Sequence, residues 1–185
     1  MTNSDLADAL FNPRAVALVG ASGDARKNTA RPQRFLQNHG FAGRILSINP
    51  GRDEVLGEKS YPDIASAPGP VDHAMIMVPG SAVPDVIEDC RRAGVKIATI
   101  YSDGFAETGE DGLRRQAEIV AQARDAGLRL IGPNSMGVID THSGSIITVN
   151  AALEAPGLIA GNIGVVSHSG TILGTLISRG AARGI

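Results

Sequence analysis

The chain has 185 residues, room for one domain or for one domain and part of a second. Apolar residues make up 43%, enough for a sizeable core, and a net charge of −2 excludes the strong positive field that nucleic acid or an anionic membrane would select. A lone Cys90 excludes an internal disulfide, MTNSDLADALFNPR has no basic patch followed by an apolar stretch, and no apolar run approaches the ~20 residues that cross a bilayer. The expectation is a soluble cytoplasmic protein without nucleic-acid or membrane partners.

Short apolar runs alternate with amphipathic stretches from the start. AVALV (15–19) reads as a strand and meets Gly20-Ala21-Ser22-Gly23-Asp24. Residues 30–39 have helical periodicity and stop at Gly40. RILSI (44–48) is the second strand; 52–70 is rich in Pro and Gly and should carry only short structure. HAMIMV (73–78) is the third. A helix over 81–93 should run from a capping Ser81 to Gly94, with Val83, Val86, Ile87 and Cys90 on its apolar face. KIATIY (96–101) follows. A helix over 110–126 then ends at Gly127, with Leu113, Ala117, Val120, Ala121 and Arg124 at helical spacing. LRLIG (128–132) is the fifth strand. The strands are apolar on both faces, as strands covered on both sides are. The order β-α-β-loop-β-α-β-α-β with right-handed crossovers predicts an α/β fold, a doubly wound parallel sheet.

Beyond residue 134 the pattern changes. SMGVIDTHSGSIITVNAALEAPGLIAG reads as a linker with extended segments. IGVV (163–166) then reads as a strand, Ser167-His168-Ser169-Gly170 as a turn, and a helix runs to about Ala182. The expected division is a Rossmann-like domain over 1–140, a linker over 141–160, and over 161–185 the first β-α unit of a second domain that breaks off.

A glycine pair where a strand gives way to a helix lets the backbone approach an anion, which free N–H groups and the helix dipole then bind. The dinucleotide fingerprint needs a third glycine and an acid at the end of the second strand. Here no third glycine is in register, and the second strand ends in Asn49-Pro50-Gly51, with Arg52 beyond. A cation at that edge suits a phosphorylated nucleotide; NADP and coenzyme A (CoA) both fit. The other strand ends, Val78-Pro79-Gly80-Ser81, Tyr101-Ser102-Asp103 and Gly132-Pro133-Asn134, are small, polar or glycine-rich and leave room for a ligand. His39, His73 and His142 are isolated, no Cys/His cluster has metal spacing, and Cys90 reads as a small buried residue rather than a nucleophile.

FNPRAVALVGASGD, GRILSINPGRDEVLG, YPDIASAPGPVDHAMIMVPG, VIEDCRRAGVKIATIYSDGFAETGEDG and GLRLIGPNSMGVID together resemble the CoA-binding domain of NDP-forming acyl-CoA synthetases, a family that includes the α subunit of succinyl-CoA synthetase. GNIGVVSHSGTILG resembles the opening of that family's flavodoxin-like second domain. The resemblance implies that Ser22, Gly23, Asp24 and Ala25 grip CoA. A carboxylate in an anion site repels phosphate, so the expectation for Asp24 is that it caps the helix and leaves the contacts to backbone N–H groups. It implies that Arg52 meets a CoA phosphate, that Pro79, Tyr101, Ser102 and Asp103 line the site, and that Pro133 and Asn134 lie beside the thiol end. Ser167, Ser169 and Gly170 then open a phosphate-facing helix. The family's phosphohistidine is expected in a later loop, past residue 185, so His168 is not that nucleophile and no catalytic residue is expected here. The whole protein would join a carboxylic acid to CoA with ATP or GTP and Mg, through an ATP-grasp domain or subunit, with a homo-oligomer possible. The alternatives are a non-catalytic CoA-binding module and an NAD(P)-dependent dehydrogenase domain.

Overall fold

The computed structural model describes residues 2–155 and 158–185. A helix that the sequence reading missed, α1 (Asn3–Phe11), comes first. Its signal was local: the Thr2 side chain accepts from Asp5 N while the Asp5 carboxylate accepts from Thr2 N, a capping box. Strands β1 (Ala15–Val19), β2 (Arg44–Ile48), β5 (His73–Ile76), β6 (Ile97–Ile100) and β7 (Arg129–Ile131) fall on the five expected apolar runs. Between β2 and β5 the Pro- and Gly-rich stretch forms β3 (Glu54–Val55) and β4 (Glu58–Tyr61). The sheet order is β3-β4-β2-β1-β5-β6-β7, parallel throughout except for β3 against β4. The chain winds outward from β1 through β2 to β4, then returns to β5 on the other side of β1. The strand direction of travel therefore reverses between β1 and β5, which makes that crevice the topological switch point.

Alternation along β1 divides the core. Ala15, Ala17 and Val19 face α3 (Val83–Ala93) and α4 (Glu110–Asp125), with Ile87, Cys90, Ile119 and Ala123 packed on them. Val16 and Leu18 face the other way, toward Leu36 of α2 (Arg31–Asn38) and Ile147. All five side chains of β1 are buried, and a fully buried Leu18 contributes on the order of 1.5–3 kcal/mol.

Four expectations need correction. Neither α2 nor α3 starts straight from its strand turn: the 3-10 turns Asn28–Ala30 and Gly80–Ala82 come first, and Ser81 makes no capping bond. Pro32 and Pro84 in the first helical turns, where a missing N–H costs nothing, set these starts. On α4 the buried positions are Gly112, Ile119 and Ala123, while Leu113 is 58% exposed; the face that packs is rotated from the one read off the sequence. The stretch expected as a linker carries β9 (Ser145–Thr148), paired antiparallel with β8 (Gly137–Asp140), and a 3-10 turn Ala151–Glu154. Ile146 and Ile147 of β9 are fully buried, so this hairpin covers the α2 side of the sheet as a second layer. Finally, residues 163–166 form no strand. A strand needs a neighbour for its N–H and C=O groups, and among the described residues 163–166 have none. The helix after them, α5 (Gly170–Ala181), forms as expected.

Candidate functional site

The first glycine turn is built into the sheet. Gly20 has φ +84°, and a Cβ there would lie 2.9 Å from Met77 O, the backbone beyond β5, so only glycine fits at the switch point. Gly20 N donates to Ile48 O (2.9 Å) and Asn49 Nδ2 donates to Ala21 O (3.0 Å), which ties the turn to the end of β2. Asn49 Oδ1 also accepts from Gly51 N, closing the Asn-Pro-Gly turn that presents Arg52. The Arg52 guanidinium then lies over the first turn: a Cβ on Gly23 would sit 3.2 Å from Arg52 Nη1. Two segments nearly thirty residues apart thus place a cation against a glycine backbone.

Within the turn, Asp24 N donates to Ser22 Oγ (3.1 Å) and Ser22 N to Thr29 O (3.4 Å). Asp24 caps no helix, contrary to expectation. It accepts from Arg26 Nε and Nη2, both at 2.9 Å, and from Arg26 N. Those Arg26 hydrogen bonds, side chain first and backbone second, hold the Asp24 carboxyl below its usual range. Its charge is spent on Arg26, which removes the repulsion that a bare carboxylate would impose on an anion. Among the described residues the N–H groups of Gly23 and Ala25 donate to no protein acceptor, and neither Arg52 nor Lys27 makes an ion pair. Unspent N–H groups beside unpaired cations are what an anion site requires.

The neighbouring strand ends join this rim through the backbone. Ser102 is buried and its Oγ donates to Val78 O at 2.5 Å, so it braces the β5 and β6 ends. Asn134, with φ +53°, donates its N–H to Ser102 O at 3.0 Å, and the Gly132–Pro133 peptide before it is cis. Pro79, Asp103 and Asn134 are exposed and Pro133 is half-buried. Gly80 packs on the Asp103 carbonyl, where a Cβ would come within 2.6 Å. Asn28 Nδ2 sits 3.5 Å from the Tyr101 hydroxyl, which brings the far end of the first loop to β6.

A cleft of about 720 Å³ opens beside that contact. Asn28, Arg31 and Tyr101 line one side, Gly170, Gly174 and Ser178 of α5 the other. Of the residues singled out from sequence, only Tyr101 and Gly170 line it. Ser167 and Ser169 turn their hydroxyls inward on their own backbone: Ser169 Oγ accepts from Ile172 N (3.2 Å) as the N-cap of α5, and Ser167 Oγ donates to Ser169 O (3.1 Å). His168 is exposed. The sequence reading missed Asn49, Arg26 and the pair Arg31 and Arg34. Asn49-Pro50-Gly51 could have been found as a turn with a self-bonding Asn, and Arg26 as a cation two residues from Asp24; Glu154, which Arg31 and Arg34 share, lies too far along the chain to leave a local signal.

Two titratable groups lie buried away from this rim. Cys90 is buried in α3, and burial first, then the neighbouring Asp89 charge, pushes its thiol up to about 12. His73 is buried with Nε2 2.8 Å from Thr99 Oγ1, and burial lowers it to about 4. Among the described residues no three His, Cys, Asp or Glu side chains are grouped as metal ligands, and no helix is long and apolar enough to cross a membrane.

An open, mostly parallel sheet with a glycine turn and unpaired cations at its switch point defines a Rossmann-like domain for a phosphorylated ligand. Comparison with known proteins narrows the class: residues 14–141 match the family model described as CoA binding domain, and the chain belongs to that family. It is 39% identical over 176 residues to ADP-forming acetate–CoA ligase II of Archaeoglobus fulgidus, covering 95% of this chain and 26% of that protein. It is 36% identical over 165 residues to the α subunit of ADP-forming acetate–CoA ligase II of Pyrococcus furiosus, covering 89% of this chain and 35% of that subunit. Its fold matches the dinucleotide forming acetyl-coenzyme A synthetase 1 of Ca. Korarchaeum cryptofilum, solved in complex with phosphate and ADP. The TM-score there is 0.88 at 35% identity, over 96% of this chain and 37% of that one. The chain thus spans about a quarter to a third of the curated relatives it matches, and corresponds to the CoA-binding portion of such ligases.

Proposed function

We propose that this chain binds CoA for an NDP-forming acyl-CoA synthetase. The overall reaction is carboxylate, CoA and nucleoside triphosphate to acyl-CoA, nucleoside diphosphate and phosphate, through an acyl phosphate and a phosphohistidine that this chain does not supply. The observation that carries the reading is the Arg52 guanidinium seated on Gly23 beside the unspent N–H groups of Gly23 and Ala25. A phosphate of CoA would lie there. The loop over 20–30 then reaches Tyr101 through Asn28, and Asn28, Tyr101 and Gly170 share one cleft. An extended ligand with phosphates at one end and a thiol at the other suits that path, with Pro133 and Asn134 on its flank. ATP or GTP with Mg would act through an ATP-grasp domain or subunit, and α5 would present its first turn to the phosphoryl group in transit. On this reading residues 161–185 belong to a second unit and the enzyme works in the cytoplasm.

Calorimetry on the chain with CoA and with NAD tests the reading. CoA should bind and NAD should not, since no acid stands at the end of β2 for a ribose diol. Arg52→Ala should weaken CoA by about tenfold or more, the loss of a charge-assisted hydrogen bond of roughly 1.5–3 kcal/mol, with folding unchanged. Tighter binding of NAD than of CoA, or an Arg52→Ala chain with full CoA affinity, would overturn it.

A further inference from the structure

Glu154 lies in the stretch that reads as a linker, at the end of the 3-10 turn Ala151–Glu154. Its carboxylate takes hydrogen bonds from two arginines of α2: Oε1 from Arg31 Nε (3.1 Å) and Arg34 Nη1 (3.2 Å), Oε2 from Arg34 Nη2 (2.5 Å). Arg31 and Arg34 stand three positions apart on one helix face, where like charges repel. The single carboxylate between them offsets that repulsion. Each arginine also spends an arm on the first-turn loop: Arg34 Nη1 donates to Ala25 O (3.1 Å), and Arg31 Nη1 donates to Asn28 Oδ1 (2.7 Å) and to Val149 O (3.2 Å). An isolated surface ion pair would be worth little. Here the side chains of Arg31, Arg34 and Glu154 are 23%, 31% and 35% exposed, and the arms they share end on the loop that carries Gly23 and Asn28. The same short turn is pinned at its start by Asn150, whose Oδ1 accepts from Ala152 N and whose Nδ2 donates to Gly170 O (3.0 Å), the first residue of α5.

We propose that Glu154 is a positioning residue for the ligand loop: by holding Arg31 and Arg34 it fixes residues 22–28 in the form that binds CoA, and it couples that loop to the start of α5. The proposal rests on the CoA reading for its ligand, and on the geometry alone for the loop. Glu154→Gln keeps the size and loses the charge. In the whole chain this variant should bind CoA roughly three- to tenfold more weakly by calorimetry. Its amides over 22–28 should exchange faster with deuterium, while those of β1 and β5 stay as slow as before. Arg34→Lys, which keeps the charge but not the forked reach, should show a smaller loss of the same kind. Unchanged CoA affinity with unchanged loop exchange overturns the proposal, and so does faster exchange spread evenly through the sheet, which marks a merely structural role. If Glu154→Gln does not fold, Arg34→Gln, which removes the arm on Ala25, is read in the same way. If the unmodified chain binds no CoA, the ligand reading fails, and the exchange result alone decides whether Glu154 sets the loop.

Discussion

Two turns with the same sequence character, an apolar run followed by small polar residues and glycine, end up in different physical situations. At Gly20–Gly23 the run before the turn is β1, buried on both faces and paired on both sides, so the turn inherits a fixed origin. Its backbone is stitched to β2 by Gly20 and Asn49, and Arg52 lies over it. At Ser167–Gly170 the run before the turn pairs with nothing among the described residues; Ile163 is 70% exposed and Val166 fully so. Only the far side of that turn is held, through Asn150 on Gly170 O and Met136 against Gly170. A ligand turn is therefore a property of the strand behind it as much as of the glycines within it. The hydroxyls show the same contrast: Ser22 braces a loop that keeps N–H groups unspent, whereas Ser169 is consumed in capping α5 and Ser167 in bonding the Ser169 backbone.

Substitutions at the two turns should cost very different amounts. The largest effect belongs to Gly20→Ala, which puts a side chain at φ +84° and 2.9 Å from a backbone oxygen; roughly 2–4 kcal/mol of stability should be lost, read from the denaturant midpoint. A cost below about 0.5 kcal/mol would mean that the first turn is no better anchored than the second. Next is acid. His73 is buried in β5, behind the first turn, and its folded value of about 4 lies below the ordinary 6.5. The unfolded chain binds a proton there that the folded chain refuses, so this stability is full above about pH 6.5 and is lost as pH falls toward 4, by up to about 3 kcal/mol. Denaturant titrations at pH 7 and at pH 4.5 should differ accordingly, and a flat profile between them would contradict it. Ser169→Ala removes the N-cap of α5 and should cost that helix about 1 kcal/mol, visible as faster amide exchange at residues 170–174 with the sheet untouched. Slower folding or exchange changes in β1 would show the two turns to be one cooperative unit. Smallest is Val166→Ser, expected within about 0.5 kcal/mol because nothing covers that side chain. A larger loss in a concentration-dependent melt would reveal a partner surface at the second turn and erase the contrast.

The amino-acid sequence alone determined five of the sheet's seven strands. Five apolar runs, each bounded by Gly, Pro or Asp, specify five parallel strands, because strands covered on both faces leave a continuous apolar signature. It also determined the first turn, since the glycine pair and the Asn-Pro-Gly before Arg52 are local chemistry, and the helix stop at Gly94, which takes φ +68°. Tertiary structure decided what no local pattern contains. Whether Ile163–Val166 becomes a strand depends on a neighbour and not on its own residues. Ile147 and Val149 are core because the hairpin folds back onto the α2 side, although the stretch reads as linker. Ion pairing can be equally non-local: Glu154 acquires its place only because α2 presents two like charges that a carboxylate about 120 residues away can share.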